Sequence, residues 1–97
     1  EAEGNALSVR LELQADCLAG AWARDADDRA LFDDPSEVEE ALNAAAAVGD
    51  DRIQEKTQGR VDPEAWTHGS SAQRVQWFQR GFQTGDPQQC TTFSEVI

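Results

Sequence analysis

Basic residues are scarce in this 97-residue chain, which has 8 Lys and Arg against 19 Asp and Glu and a net charge of −11. No Lys/Arg cluster interrupts this acidity, which argues against nucleic acids and anionic membrane surfaces as partners. No apolar run reaches the roughly 18 residues of a membrane span. The chain also lacks methionine and any signal-peptide pattern, so we expect it to begin inside a longer or processed product.

Histidine and cysteine are nearly absent too. The single histidine, His68, rules out an H-E-x-x-H zinc motif within this chain, because that motif needs two histidines. Cys17 and Cys90 have no neighbouring His or Cys that would suggest a metal clip. A disulfide between them is favoured, because Cys90 lies in a polar tail where a buried free thiol has little reason to sit. Two buried, reduced thiols are the alternative.

The apolar content of 39% is sufficient for a small globular domain. Apolar residues at spacings of three and four predict a first helix over residues 5–25, capped by Asn5 or Ser8. Its apolar stripe consists of Leu7, Leu11, Ala15, Leu18 and Trp22. A second apolar flank, Val9, Leu13, Cys17 and Gly20, predicts burial on more than one side, and Gly20 would allow another backbone to approach closely.

The remaining segments also read as helical. An acidic loop is predicted over residues 25–35, and a second helix follows, with Ser36 and Glu39 as a capping box and Gly49 as its stop. Residues 50–59 would add a further short helical turn. A third main helix is capped by Ser70 or Ser71, runs to about Thr84 and presents Val75, Phe78 and Phe82 as its apolar face. No alternating β pattern is present, so we predict one all-α domain over residues 1–97, with about three main helices and long loops.

Glu12 and Asp16 lie four residues apart on one face of the first helix, at the border of its stripe. Such pairs are common on solvated surfaces, but acids on an otherwise apolar helix require a metal, an arginine or a shared proton. Arg10 and Arg74 are candidates for a purely structural pairing.

His68 has three interpretations: a turn residue whose imidazole bonds the backbone, a donor to a developing oxyanion in a cleft, or part of a Ser-His-acid hydrolase site with Ser70 or Ser71. The absence of a G-x-S-x-G motif argues against the third.

Three ordered blocks carry a specific resemblance: SVRLELQADCLAGAWA, EEALNAAAAVGDDRIQ and THGSSAQRVQWFQRGFQTGDPQQCTTF. They closely resemble the C-terminal part of a bacterial family of neutral zinc metallopeptidases, over roughly residues 8–93. Members of that family are longer and carry an H-E-x-x-H helix upstream, often behind an N-terminal membrane anchor. The family resembles the gluzincins, in which two helix histidines and a glutamate on a following helix bind one zinc ion.

The resemblance implies a role for each candidate residue. Glu12 would be the third zinc ligand, and Asp16 would orient a ligating histidine or its helix. His68 would contact substrate or stabilise the transition state, and Arg74 would pair with an acid such as Asp16. The resemblance also implies peptide or protein substrates, a cell-envelope or secreted location, and a disulfide between the two cysteines.

The missing upstream motif limits what this chain can do alone. A catalytic zinc needs three protein ligands and an activated water, and this chain retains at most one such ligand. We therefore expect zinc in the intact protein, none in this chain, and no peptidase activity from the chain by itself. The alternative function is a non-catalytic helical module that binds a partner protein or pairs with a second copy of itself.

Overall fold

Four α-helices and one short 3-10 helix make up the described part of the chain, residues 2–29, 36–61 and 66–97 of a computed structural model. The helices are α1 (Ala2–Asp28), α2 (Ser36–Ala47), α3 (Asp50–Gln58) and α4 (Ser71–Thr84), and the 3-10 helix is Pro87–Gln89. The described residues contain no β-strand, which confirms the all-α class. Helix α3 is a full nine-residue helix, where only a short turn was predicted.

Helices α1 and α4 run parallel and touch backbone to backbone. A Cβ atom built on Gly20 would lie 2.0 Å from the carbonyl oxygen of Phe78, and one built on Gly81 would lie 1.9 Å from that of Cys17. Only glycine allows so close an approach at these positions. The close contact predicted at Gly20 is confirmed, and Gly81 is its unpredicted counterpart on α4.

The core lies around this contact. Leu13 and Cys17 have no exposed surface, and they form one cluster with Val9, Trp77 and Cys90. Cys17 and Cys90 are bridged, which confirms the predicted disulfide. The bridge joins α1 to the C-terminal tail, and in the chain-entropy model closing a loop of this length contributes about 4 kcal/mol.

The predicted burial of α1 on more than one side is wrong. The flank with Val9, Leu13, Cys17 and Gly20 faces α4 and is buried. The large side chains of the opposite stripe are exposed: Leu7 57%, Leu11 60%, Leu18 43% and Trp22 64%. Helix α4 packs on the glycine-containing side because the two backbones can meet there, whereas the bulky stripe would hold them apart.

The helix ends follow local signals at α4 and depart from them at α1. Ser70 caps α4 with a capping box to Gln73, and Gly85 ends it in the left-handed conformation, as predicted. Helix α1 is longer than predicted, so Asn5 and Ser8 lie inside it and do not cap it, and the predicted loop is helical up to Asp28.

The start of α2 also differs from the prediction. Helix α2 begins at Ser36, so Ser36, predicted as the cap before this helix, is instead its first residue. Residues 30–35 of the acidic loop lie outside the described residues. Within the described ranges, no helix combines the length and the apolarity that a bilayer crossing requires.

We expect Gly81→Ala to destabilise the fold by about 3 kcal/mol or more, because the added methyl group meets the Cys17 carbonyl and neither backbone can yield. Urea unfolding followed by circular dichroism measures the loss. The matched control is Gly4→Ala at an exposed position of α1, where alanine should leave stability unchanged or raise it by about 0.5–1 kcal/mol. Equal effects of the two substitutions would contradict the close helix contact.

Candidate functional site

Glu12 and His68 meet at the edge of α1. The His68 Nδ1 atom lies 2.8 Å from the Glu12 Oε1 atom, although the residues are 56 positions apart. Both side chains are partly exposed, His68 at 47% and Glu12 at 35%. The imidazole therefore contacts a carboxylate, which differs from the backbone bond considered for a simple turn residue. The structure brings the predicted metal ligand and the predicted catalytic histidine into direct contact.

Asp16 lies one turn further along α1 and is paired with Arg74 of α4. The Nε and Nη2 atoms of Arg74 donate to the two Asp16 carboxylate oxygens at 2.8 and 3.0 Å. The side chains are only 14% and 11% exposed, so this is a largely buried, two-pronged ion pair. The hydrogen bond to Asp16 raises the pKa of Arg74; burial opposes this, and the charges of Asp16, Glu12 and Asp50 reinforce it.

Arg10, the other arginine considered for a structural pairing, has different partners. Its guanidinium donates to the backbone carbonyls of Thr92 and Glu95, and the Thr92 hydroxyl donates back to the Arg10 carbonyl. Arg10 therefore anchors the C-terminal tail to α1. Of the two candidates, Arg74 is the one bonded to Asp16, in agreement with the prediction.

Asp50, at the first turn of α3, holds the segment that carries His68. Its Oδ2 atom accepts hydrogen bonds from the backbone N–H groups of His68 and Gly69, both at 2.7 Å. The Asp50 N–H group in turn donates to the Gly69 carbonyl at 2.8 Å. Gly69 has a φ of +92°, and a Cβ there would lie 3.1 Å from Leu13. The backbone at His68 is thus fixed against both α3 and α1.

Asp51 makes a second connection, to the start of α4. Its Oδ1 atom accepts from the Ser71 N–H and hydroxyl groups at 2.8 and 3.0 Å. Burial acts to raise the pKa of Asp51, but hydrogen bonds from Ser71 and from the backbone N–H groups of Arg52 and Asp51 together leave that pKa below its ordinary value. Neither Asp50 nor Asp51 was singled out from the sequence. The available signal was their position directly after the helix stop Gly49, where acids favour a new helix start.

The site offers few donor atoms for a metal ion. Among the described residues, no group of three or more His, Cys, Asp or Glu side chains is arranged to hold a metal. Glu12 and His68 together provide one carboxylate and one imidazole, and both Asp16 oxygens are engaged by Arg74. A catalytic zinc takes three protein ligands. The described residues can therefore contribute to such a site but do not complete it.

We expect Asp16→Ala to cost about 3–5 kcal/mol in unfolding free energy, because the Arg74 guanidinium would remain buried without its partner. In a double-mutant cycle of chemical denaturation, replacing both Asp16 and Arg74 with leucine should cost less than the sum of Asp16→Leu and Arg74→Leu measured singly. The control is Asp28→Ala, which breaks the exposed Arg24–Asp28 pair and should cost about 0.5 kcal/mol or less. Additive effects at Asp16 and Arg74 would contradict the pairing.

Asp51→Asn should remove a pH-dependent part of the stability. Because the folded-state pKa of Asp51 is lowered from 3.8, the contribution of its carboxylate is fully present above pH 3.8 and is lost as the pH falls through the folded-state pKa. Because this partly buried carboxylate is screened by solvent, the unfolding free energies of the Asp51→Asn variant and the unmodified chain should differ by only about 1 kcal/mol at neutral pH. Denaturation at several pH values should show the difference shrinking in acid, whereas Asp27→Asn, at an exposed position, should change the unfolding free energy by less than about 0.5 kcal/mol.

Comparison with known proteins places this chain in a family. The chain is 55% identical over its whole length to "Uncharacterized protein YpfJ" from Escherichia coli strain K12, and the match covers 33% of that protein. Over 95 residues it is 54% identical to "Uncharacterized protein Mb2605" from Mycobacterium bovis and "Uncharacterized protein Rv2575" from Mycobacterium tuberculosis, covering 32% of each. The chain thus spans about a third of the length of these relatives. No solved structure gives a significant match. The family profile described as "Putative neutral zinc metallopeptidase" matches residues 1–93, and the chain belongs to that family.

Proposed function

We propose that this chain is the C-terminal portion of a neutral zinc metallopeptidase that hydrolyses peptide bonds, and that Glu12 is the third protein ligand of its zinc ion. The observation that carries the proposal is the convergence of Glu12, Asp16, His68 and Arg74 at one edge of α1. Membership of the family supports it. The two remaining ligands and the general base would come from a gluzincin-like H-E-x-x-H helix outside these 97 residues.

The geometry suits Glu12 as a metal ligand. Its carboxylate lies at the partly exposed border of α1, where a further element could reach it. One turn away, Asp16 is neutralised by Arg74, so the ion pair anchors α1 to α4 directly beside Glu12. Asp16 and Arg74 would therefore act as positioning residues. A ligand held on a rigid helix loses little entropy when it binds a metal, which favours a defined coordination geometry.

His68 is suited to act on the substrate. Its Nδ1 atom faces Glu12, so Nε2 is the ring nitrogen that can reach outward, and Asp50 fixes the backbone beneath it. In metallopeptidases the zinc polarises the scissile carbonyl and lowers the pKa of the attacking water. A histidine beside the metal ligand can donate a hydrogen bond to the oxyanion that develops during this reaction. We assign this role to His68.

The disulfide supports a location outside the reducing cytoplasm. Cys17 and Cys90 are bridged at the centre of the core. Disulfides persist mainly in oxidising compartments. We therefore propose that the protein is secreted or resides in the cell envelope. Any membrane attachment would come from an anchor outside the 97 residues.

Substitution of Glu12 in the longer, zinc-loaded protein tests the ligand assignment. We expect Glu12→Gln to abolish most zinc binding, measured by metal analysis after dialysis, and to abolish peptidase activity, because two remaining ligands hold zinc weakly. Glu3→Gln, at an exposed position of the same helix, is the control and should retain both. His68→Gln should retain zinc and lower kcat about 100-fold or more. Retention of zinc by Glu12→Gln would show that Glu12 is not a ligand.

The coding sequence upstream of Glu1 provides an independent check. An H-E-x-x-H motif there supports the peptidase, because it supplies the missing ligands and base. Its absence would favour the alternative function, a non-catalytic helical module. In either case the 97-residue chain alone should bind negligible zinc and cleave no peptide.

A further inference from the structure

The exposed face of α1 is a continuous apolar stripe opposite the buried core. Leu7, Leu11 and Leu18 are 57%, 60% and 43% exposed, and Trp22 continues the same line at 64% exposure. The stripe extends about 22 Å along the helix, given a rise of about 1.5 Å per residue. A surface helix normally has one apolar face and one polar face. A helix with apolar residues on two opposite faces is typical of an element buried between two others.

The environment of the stripe indicates what chemistry would cover it. Its borders carry the acids Glu3 and Glu12, and Asp25 near its end is paired with Arg29. The chain as a whole has a net charge of −11. A second copy of the chain would bring equally acidic borders and the same large net charge, and like charges across an interface are unfavourable. A complementary occupant would have an apolar face with neutral or basic edges.

The curated relatives have enough further chain to provide such an occupant. The match covers 33% of the Escherichia coli relative, so about two thirds of that protein lies outside the matched region. An amphipathic helix of about 15 residues would extend over the whole stripe. A segment lying there would also pass beside Glu12, at the border of the stripe.

We propose that the stripe of Leu7, Leu11, Leu18 and Trp22 is an internal docking surface, covered by an amphipathic, non-acidic helix from the part of the same polypeptide outside these 97 residues. Helix α1 then becomes a central element of the longer protein, packed between α4 and the docked helix. This proposal does not depend on zinc binding: the surface would be covered in a metal-free protein as well.

Hydroxyl-radical footprinting of the longer, unmodified protein tests the proposal. In the present structure Val48 and Ile53 are 45% and 42% exposed, similar to or less than the three leucines, and they lie outside the stripe. If the stripe is covered, oxidation of Leu7, Leu11 and Leu18 should be several-fold slower than oxidation of Val48 and Ile53. Equal or faster oxidation of the leucines would overturn the proposal. Adding a chelator distinguishes this from the zinc assignment, because protection should persist without metal.

Paired substitutions in the longer protein provide the second test. Leu11→Gln should lower the melting temperature by about 5–10 °C, because it would place a polar group in a buried apolar contact. Ile53→Gln, the matched control, should change it by less than about 2 °C. No effect of Leu11→Gln would contradict coverage.

Light scattering of the 97-residue chain tests whether a second copy of the chain, and not another part of the same polypeptide, covers the stripe. A monomer, for which circular dichroism confirms the helical fold, supports a partner from the same polypeptide. A dimer that Leu11→Gln dissociates would assign the surface to a second copy and overturn the proposal. A dimer that Leu11→Gln leaves intact would form through another surface, so the second copy would not be the occupant of the stripe, which supports the proposal.

Discussion

The backbone contact between α1 and α4 at Gly20 and Gly81 is the constraint on which the remaining structure depends. It brings the two helices so close that neither position has room for a Cβ atom. At this separation Asp16 and Arg74 can form a two-pronged ion pair, and Arg24 can reach the carbonyls of Phe82 and Gln83. A larger separation would leave the buried Asp16 carboxylate without its cation, at a cost of several kcal/mol. The helix contact and the ion pair therefore stabilise each other.

The candidate site depends on this contact indirectly. Helix α1 supplies Glu12, while His68 comes from the segment before α4, and the two meet because α4 begins beside α1. Asp50 and Asp51 at the start of α3 complete the arrangement, since their carboxylates accept hydrogen bonds from the backbone of His68, Gly69 and Ser71. Buried polar groups that are fully hydrogen-bonded hold a loop in one conformation. The backbone of His68 and Gly69 is thus held against α3 and α1.

The two faces of α1 explain why the sequence predicted its surroundings only in part. Both faces are apolar, and hydrophobic periodicity reports that a face is apolar without identifying the element that covers it. The stripe of large residues gives the stronger pattern, yet α4 packs on the opposite side, where Gly20 permits close approach. Similarly, Asp50 and Asp51 read as ordinary acids at a helix start. Their contacts with the loop and with α4 depend on residues about 20 positions away.

The all-α class, both ends of α4, a close backbone approach at Gly20 and the resemblance to a peptidase family could all be predicted from the amino-acid sequence. The helical class and the ends of α4 depend on neighbours within about four residues, through capping and periodicity. Helix packing fixes which face of α1 is buried, brings His68 against Glu12 and places Asp50 under the backbone of His68 and Gly69. The contact between His68 and Glu12 joins residues 56 positions apart. Such contacts are set by how helices pack, which no local pattern in the chain encodes.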